Sequence, residues 1–180
     1  KVYDRSIGGG LRPGTVNLIG ARMKTGKSFF ADNVALNVAF QNIPVLMLDT
    51  EMTEKDHWHR LLASMSNLKI EEIESGSLFN DPQKKLKLYE AKNKLKELPF
   101  QYKTIAGKSF DEVISMARRW VIKDVGLDDY GKAKPCLIIL DYIKLMSDDS
   151  ISKNIAEYQA LGFLMTNLHN FMVQYGVACL

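Results

Sequence analysis

Cysteine is scarce in this chain: 180 residues hold two, Cys136 and Cys179, each inside an apolar run that reads as a strand. Two such thiols argue against a disulfide framework and are expected as small core residues in a reducing compartment. No apolar stretch is long enough to span a bilayer, and the start of the chain lacks the apolar segment of a signal peptide. The expectation is therefore a cytoplasmic-type domain with no membrane partner. Histidine is rare as well. His57, His59 and His169 show no metal-ligand spacing with cysteines or acids, so places on helix surfaces or at boundaries are expected of them. Charge of one sign is also missing: 24 Lys and Arg against 21 Asp and Glu leave a net +3, too little to imply a nucleic-acid partner. Much of the positive charge falls between Lys84 and Lys108 and reads as a solvated helix face. There is no internal repeat and no low-complexity segment. What remains, with 46% hydrophobic side chains, is enough for one well-buried domain and not for two.

Against this background one stretch stands out, Ala21-Arg22-Met23-Lys24-Thr25-Gly26-Lys27-Ser28. It lies between an apolar run, Val16-Asn17-Leu18-Ile19-Gly20, that reads as a buried strand, and a run from Phe29 to Ala39 that reads as a helix. Strand, glycine-containing loop, Gly-Lys-Ser and helix together make a phosphate-binding loop. Backbone N–H groups of the loop can curl around phosphate oxygens, and the helix N-terminus adds its positive dipole. Lys27 is expected to reach the β- and γ-phosphates, and Ser28 to hold Mg²⁺. Ala21 stands where the usual pattern has its first glycine, a departure of one methyl group. The bland alternative is a chance loop with a solvated lysine.

The rest of the chain alternates strands with helices. Gly8-Gly9-Gly10-Leu11-Arg12-Pro13-Gly14 is turn chemistry, so residues 1–14 read as a loop leading into the first strand and 15–180 as the domain proper. Ile43 to Asp49 gives a second strand, covered on both faces. Thr53 and Asp56 open a helix through Leu61-Leu62-Ala63. Asp81-Pro82 caps another, an amphipathic helix with Leu86, Tyr89 and Leu95 at helical spacing, lysines outward and Pro99 as its stop. Phe100 to Ile105 alternates as a third strand. Ser109 and Glu112 form a capping box for a helix carrying Val113, Met116, Ala117 and Trp120. Trp58 and Trp120 read as packing residues. Pro135 to Leu140 is the most apolar strand and ends in Asp141. Ser152 to about Tyr175 reads as a helix, and Val177-Ala178-Cys179-Leu180 as the beginning of a fifth strand. This alternation predicts an α/β fold: a doubly wound, mostly parallel sheet with helices on both faces and ligand chemistry at the carboxyl ends of the strands. A sequence ending inside a core strand is expected of a domain truncated at its C-terminus.

Three features then share one edge: the phosphate loop, Glu51 and Asp141. An aspartate closing an apolar strand suits a Mg²⁺–nucleotide site, where Asp141 would accept from a metal-bound water or from Ser28. Its alternative is to cap the following turn. Glu51 is the candidate for orienting and deprotonating the attacking water. Asp49 competes with it for that role or is structural.

In order and spacing, Gly-Gly-Leu-Arg-Pro-Gly, Ala-Arg-x-x-x-Gly-Lys-Ser, Thr-Glu-Met, Leu-Leu-Ala-Ser and Asp-Tyr-Ile-Lys-Leu-Met resemble the RecA-like motor domain of DnaB-type replicative helicases, over nearly the whole chain. Alanine before arginine at the start of the phosphate loop is usual in that family. The resemblance implies a P-loop NTPase fold, with Glu51 of Glu51-Met52 as the catalytic glutamate and Asp141 of Asp141-Tyr142 as the metal-site aspartate. Asp49-Thr50 stands where Ser-Leu is common and Lys144 where glutamine is common, departures that point to a phage or divergent branch. The resemblance further implies ATP or another NTP with Mg²⁺, single-stranded DNA, a homo-hexamer, a primase partner for the intact protein, and a bacterial cytoplasm. It places the sensor glutamine, arginine finger and DNA-contacting loops beyond residue 180, and the primase-contacting domain and helical linker before Lys1.

The residues alone supply the nucleotide, and the resemblance supplies the DNA. Other RecA-like ATPases of recombination or clock type share the same loop and acids. A P-loop small-molecule kinase would pass the phosphoryl group to a metabolite, but it should carry an arginine-rich lid, and none stands out. A nucleotide-binding module without turnover is the last alternative.

Overall fold

The computed structural model describes residues 5, 8–22, 24–142 and 157–180. Four parallel strands form one sheet: β1 (Val45–Asp49), β2 (Phe100–Thr104), β3 (Leu137–Asp141) and β4 (Ala178–Cys179), in the order β2-β1-β3-β4. The register sets Asp49 of β1 level with Thr104 on one side and Asp141 on the other. All five residues of β1 are buried, as a central parallel strand packed on both faces requires.

Alternation along the strands divides the core in two. Leu46, Leu48, Ile138 and Cys179 face one way, toward α5 (Phe110–Trp120) with its following π-turn (Val121–Val125), and toward α6 (Glu157–Tyr175). Val45, Met47, Leu137, Ile139 and Ala178 face the other way, against α1 (Lys27–Ala39), α2 (Glu54–Ser66) and α4 (Pro82–Glu97). The expected sheet with helices on both faces is therefore present. A short helix, α3 (Ile70–Ser75), and a 3₁₀ turn (Ser77–Asn80) join α2 to α4; no periodicity announces elements this short.

The capping signals act as expected. The Thr53 hydroxyl accepts from the Asp56 amide, the Asp81 carboxylate accepts from the amides of Gln83 and Lys84, and Ser109 and Glu112 close a reciprocal capping box. Trp120 is buried in the core, and Trp58 packs edge-on against Phe100. Cys136 and Cys179 are buried free thiols, and burial pushes both up to about 12.

Three expectations need correction. The run from Val16 to Gly20 is not a strand: only Val16 pairs, through a single parallel bridge to Cys179. β4 is short, Ala178–Cys179, and Leu18 is 70% exposed. Helix α4 buries Leu88, Ala91 and Leu95, whereas Leu86 and Tyr89 face solvent; the inward stripe begins two residues later than their spacing suggested. His57 is not at a surface but completely buried. The helix expected from Ser152 is present from Glu157, its earlier residues lying outside those described, as do Met23 of the phosphate loop and Lys144.

Candidate functional site

The phosphate loop leaves the bridge at Val16 and turns back into α1. Lys24 and Gly26 both adopt positive φ, at 61° and 94°. At Gly26 this conformation favours glycine, because a Cβ strains the left-handed region. Gly26 occupies the N-cap of α1 without a side-chain cap, so the first amides of the helix are left for a ligand to satisfy. Gly20, Ala21, Arg22, Lys24, Thr25 and Gly26 are exposed, and Lys27 and Ser28 are half-buried in the first turn of α1.

Lys27 turns toward the sheet. Its Nζ lies 2.8 Å from Oδ1 of Asp141, at the end of β3, and 4.1 Å from the centre of the Tyr142 ring. A cavity of about 330 Å³ opens here, with Lys27, Ala21, Asp141, Tyr142 and Leu161 among its lining residues. The structure thus brings Lys27 and Asp141 into direct contact from distant parts of the sequence. Ser28 is the next residue of α1. Glu51 stands at the same carboxyl edge, two residues beyond β1, with an exposed side chain. Arg22, Lys24, Thr25, Gly26, Ser28 and Glu51 do not line the cavity at Lys27.

Asp49 is 1% exposed, and its Oδ1 accepts from the amides of Glu51 at 2.6 Å and Met52 at 2.9 Å. Burial pushes this carboxyl above the usual carboxylate range, and the two amides pull it back in part. Its oxygen is turned into its own backbone, which favours Glu51 over Asp49 as the acid free to meet a ligand. A second pair escaped sequence reasoning. Asp32 of α1 and His57 of α2 are both buried, with Oδ1 and Nδ1 3.7 Å apart. Among the described residues, neither that oxygen nor either ring nitrogen has a hydrogen-bond partner. Burial pushes Asp32 up to about 7 and His57 down to about 4, the Arg60 charge acting to lower both. Nothing local marks either residue as buried; only the packing of α1 against α2 and β2 does.

The donor chemistry fits Mg²⁺. Ser28 and Asp141 offer hard oxygen atoms, and Mg²⁺ is ordinarily held by one or two protein oxygens, the rest of its shell being water and substrate phosphate. A dedicated cage of three or more His, Cys, Asp or Glu side chains is absent among the described residues.

The sequence matches the profile of the DnaB-like helicase C-terminal domain over residues 3–176. The chain belongs to that family. Replicative DNA helicase DnaB of Buchnera aphidicola subsp. Schizaphis graminum (strain Sg) is 32% identical over 146 residues, which are 81% of this chain and 30% of the relative. Its counterpart in Buchnera aphidicola subsp. Acyrthosiphon pisum (strain APS) is 31% identical over the same shares. This DnaB-like chain therefore spans about 30% of the length of these curated relatives. A solved DnaB-like replicative helicase, described with its interactions with primase, superposes with TM-score 0.79 at 20% identity over 94% of this chain and 38% of the other. A second solved structure, containing an ATPase domain, superposes with TM-score 0.74 at 19% identity, over 88% of this chain and 52% of the other. The fold is RecA-like, that of a P-loop NTPase. No helix among the described residues is long and apolar enough to cross a membrane.

Proposed function

We propose that this DnaB-like domain binds Mg²⁺–ATP and hydrolyses it as the motor of a ring-shaped replicative helicase that translocates on single-stranded DNA. The observation that carries the reading is the contact between Lys27 and Asp141 at 2.8 Å, which joins phosphate loop and strand-end acid at one sheet edge. In this reading Lys27 exchanges its carboxylate partner for the β- and γ-phosphates, and the loop amides with the N-terminus of α1 cradle the phosphate oxygens. Ser28 and Asp141, the latter through a water, would hold Mg²⁺, which when bound would supply charge neutralisation at the phosphate oxygens. Glu51 orients the attacking water and takes its proton. The intact protein, by family, is a hexamer that meets DNA and a primase in the cytoplasm of a bacterium or of a phage host.

Titration calorimetry with Mg²⁺–ATP tests the nucleotide half of the proposal. A charge-assisted bond is worth roughly 1.5–3 kcal/mol, so Lys27→Ala should weaken binding at least about tenfold. Equal affinities for the two proteins would remove Lys27 from the site.

A further inference from the structure

We propose that Asp49 and Tyr102 are positioning residues for Glu51: together they clamp the backbone that presents the water-activating carboxylate. The proposal rests on the role given to Glu51 above.

The segment Thr50-Glu51-Met52 lies past the end of β1, where a chain leaving a sheet is ordinarily free to move. Here it is tied from three directions. From below, Asp49 Oδ1 accepts the amides of both Glu51 and Met52, at 2.6 and 2.9 Å. From β2, the Tyr102 hydroxyl donates to the Met52 carbonyl at 2.9 Å. From β3, the Asp141 carbonyl accepts the Thr50 amide at 3.0 Å. Both side chains are themselves fixed. Asp49 is fully enclosed and its own carbonyl accepts from the Ile105 amide at 2.8 Å. The Tyr102 ring is stacked on His57, with centroids 3.9 Å apart and planes 13° from parallel.

A lone aspartate accepting amides two and three residues on is an ordinary turn. The Tyr102 hydroxyl, arriving from a different strand at the carbonyl of Met52, makes this one a clamp. Its consequence is specific to Glu51, whose amide is held while its side chain is left exposed. A base must be held close to its productive position, and rigid supports around it provide that.

The test uses steady-state ATP hydrolysis by the full-length parent. Asp49→Asn keeps an acceptor at Oδ1 and should stay near wild type. Asp49→Ala removes it and should lower kcat about 10–100-fold, the cost of a small displacement of a catalytic group, with KM for ATP unchanged. Tyr102→Phe keeps the ring and its stacking and should lower kcat several-fold with the same split. In a Glu51→Gln background neither change should cost anything more, because residues acting through one group are not additive. If Glu51→Gln itself hydrolyses ATP at the wild-type rate, the assignment of Glu51 fails and the clamp with it. If Glu51→Gln collapses while Asp49→Ala and Tyr102→Phe remain wild type, or if their losses add in full to that of Glu51→Gln, the clamp alone is overturned. A loss of ATP affinity matching the loss of kcat also overturns it. Should Asp49→Ala fail to fold, Tyr102→Phe carries the test.

Discussion

A buried carboxyl beside a buried imidazole is costly in either charged form, and Asp32 and His57 meet that cost by opposite shifts. Asp32 is raised from 3.8 to about 7, so the stability it contributes is complete below pH 3.8 and is lost as pH rises through 7. His57 is lowered from 6.5 to about 4, so its contribution is complete above pH 6.5 and is lost as pH falls toward 4. Between pH 4 and 6.5 the two slopes oppose each other. Removing one partner should therefore expose the other. Relative to wild type, His57→Leu should lose stability as pH rises through this window and Asp32→Leu should gain it, read as urea midpoints at closely spaced pH values. The double change to leucine should be the most stable of the three variants, since apolar replacement of a buried polar pair is often neutral or better. Midpoints of the two single variants that run parallel to wild type would show that the pair does not titrate in this way. Residues of this kind were illegible in the sequence. Lys27, Ser28, Glu51 and Asp141 stood out because local spacing encodes them, but the burial of His57 and the inward turn of Asp49 depend on how the chain packs in three dimensions.

Among the elements, those with their own caps were legible and those that depend on a partner were not. The caps at Thr53, Asp81 and Ser109 are satisfied within a few residues, so α2, α4 and α5 were found at their true starts. The run Val16–Gly20 has the composition of a strand, yet among the described residues only Val16 of this run forms a bridge, to Cys179. Helix α4 shows the same limit in another form. Its lysine-rich surface was plain, but Leu86 and Leu88 compete for the inward stripe, and contact with α2 and the 3₁₀ turn decides between them. Leu88 is 9% exposed and Leu86 60%. Leu88→Ala should destabilise the domain by about 2–5 kcal/mol, the range for a buried leucine, and Leu86→Ala by no more than about 0.5 kcal/mol. Comparable losses in thermal or urea denaturation would mean that the helix packs by a different face.

For the molecule as a whole, the four-stranded parallel sheet explains why its chemistry collects at one edge. Parallel order sends every strand's carboxyl end the same way, so Asp49, Asp141 and the chain leading to Glu51 arrive together, and α1 packed across the sheet brings Lys27 to meet them. This much followed from strand–helix alternation and one loop motif. The pairing of Lys27 with Asp141, the Tyr142 ring beside it and the clamp around Glu51 required the fold. The work proposed for this edge is ATP hydrolysis by water in a DNA motor, with Glu51 as the base. Its most direct test is ATP hydrolysis by the full-length parent and its Glu51→Gln variant, each with and without single-stranded DNA. DNA should stimulate the parent, and Glu51→Gln should still bind ATP while hydrolysis falls by about 10²–10⁴, the contribution of a positioned base. Wild-type turnover by Glu51→Gln would contradict that role, as a parent that ignores DNA and transfers phosphate to a small metabolite would contradict the motor.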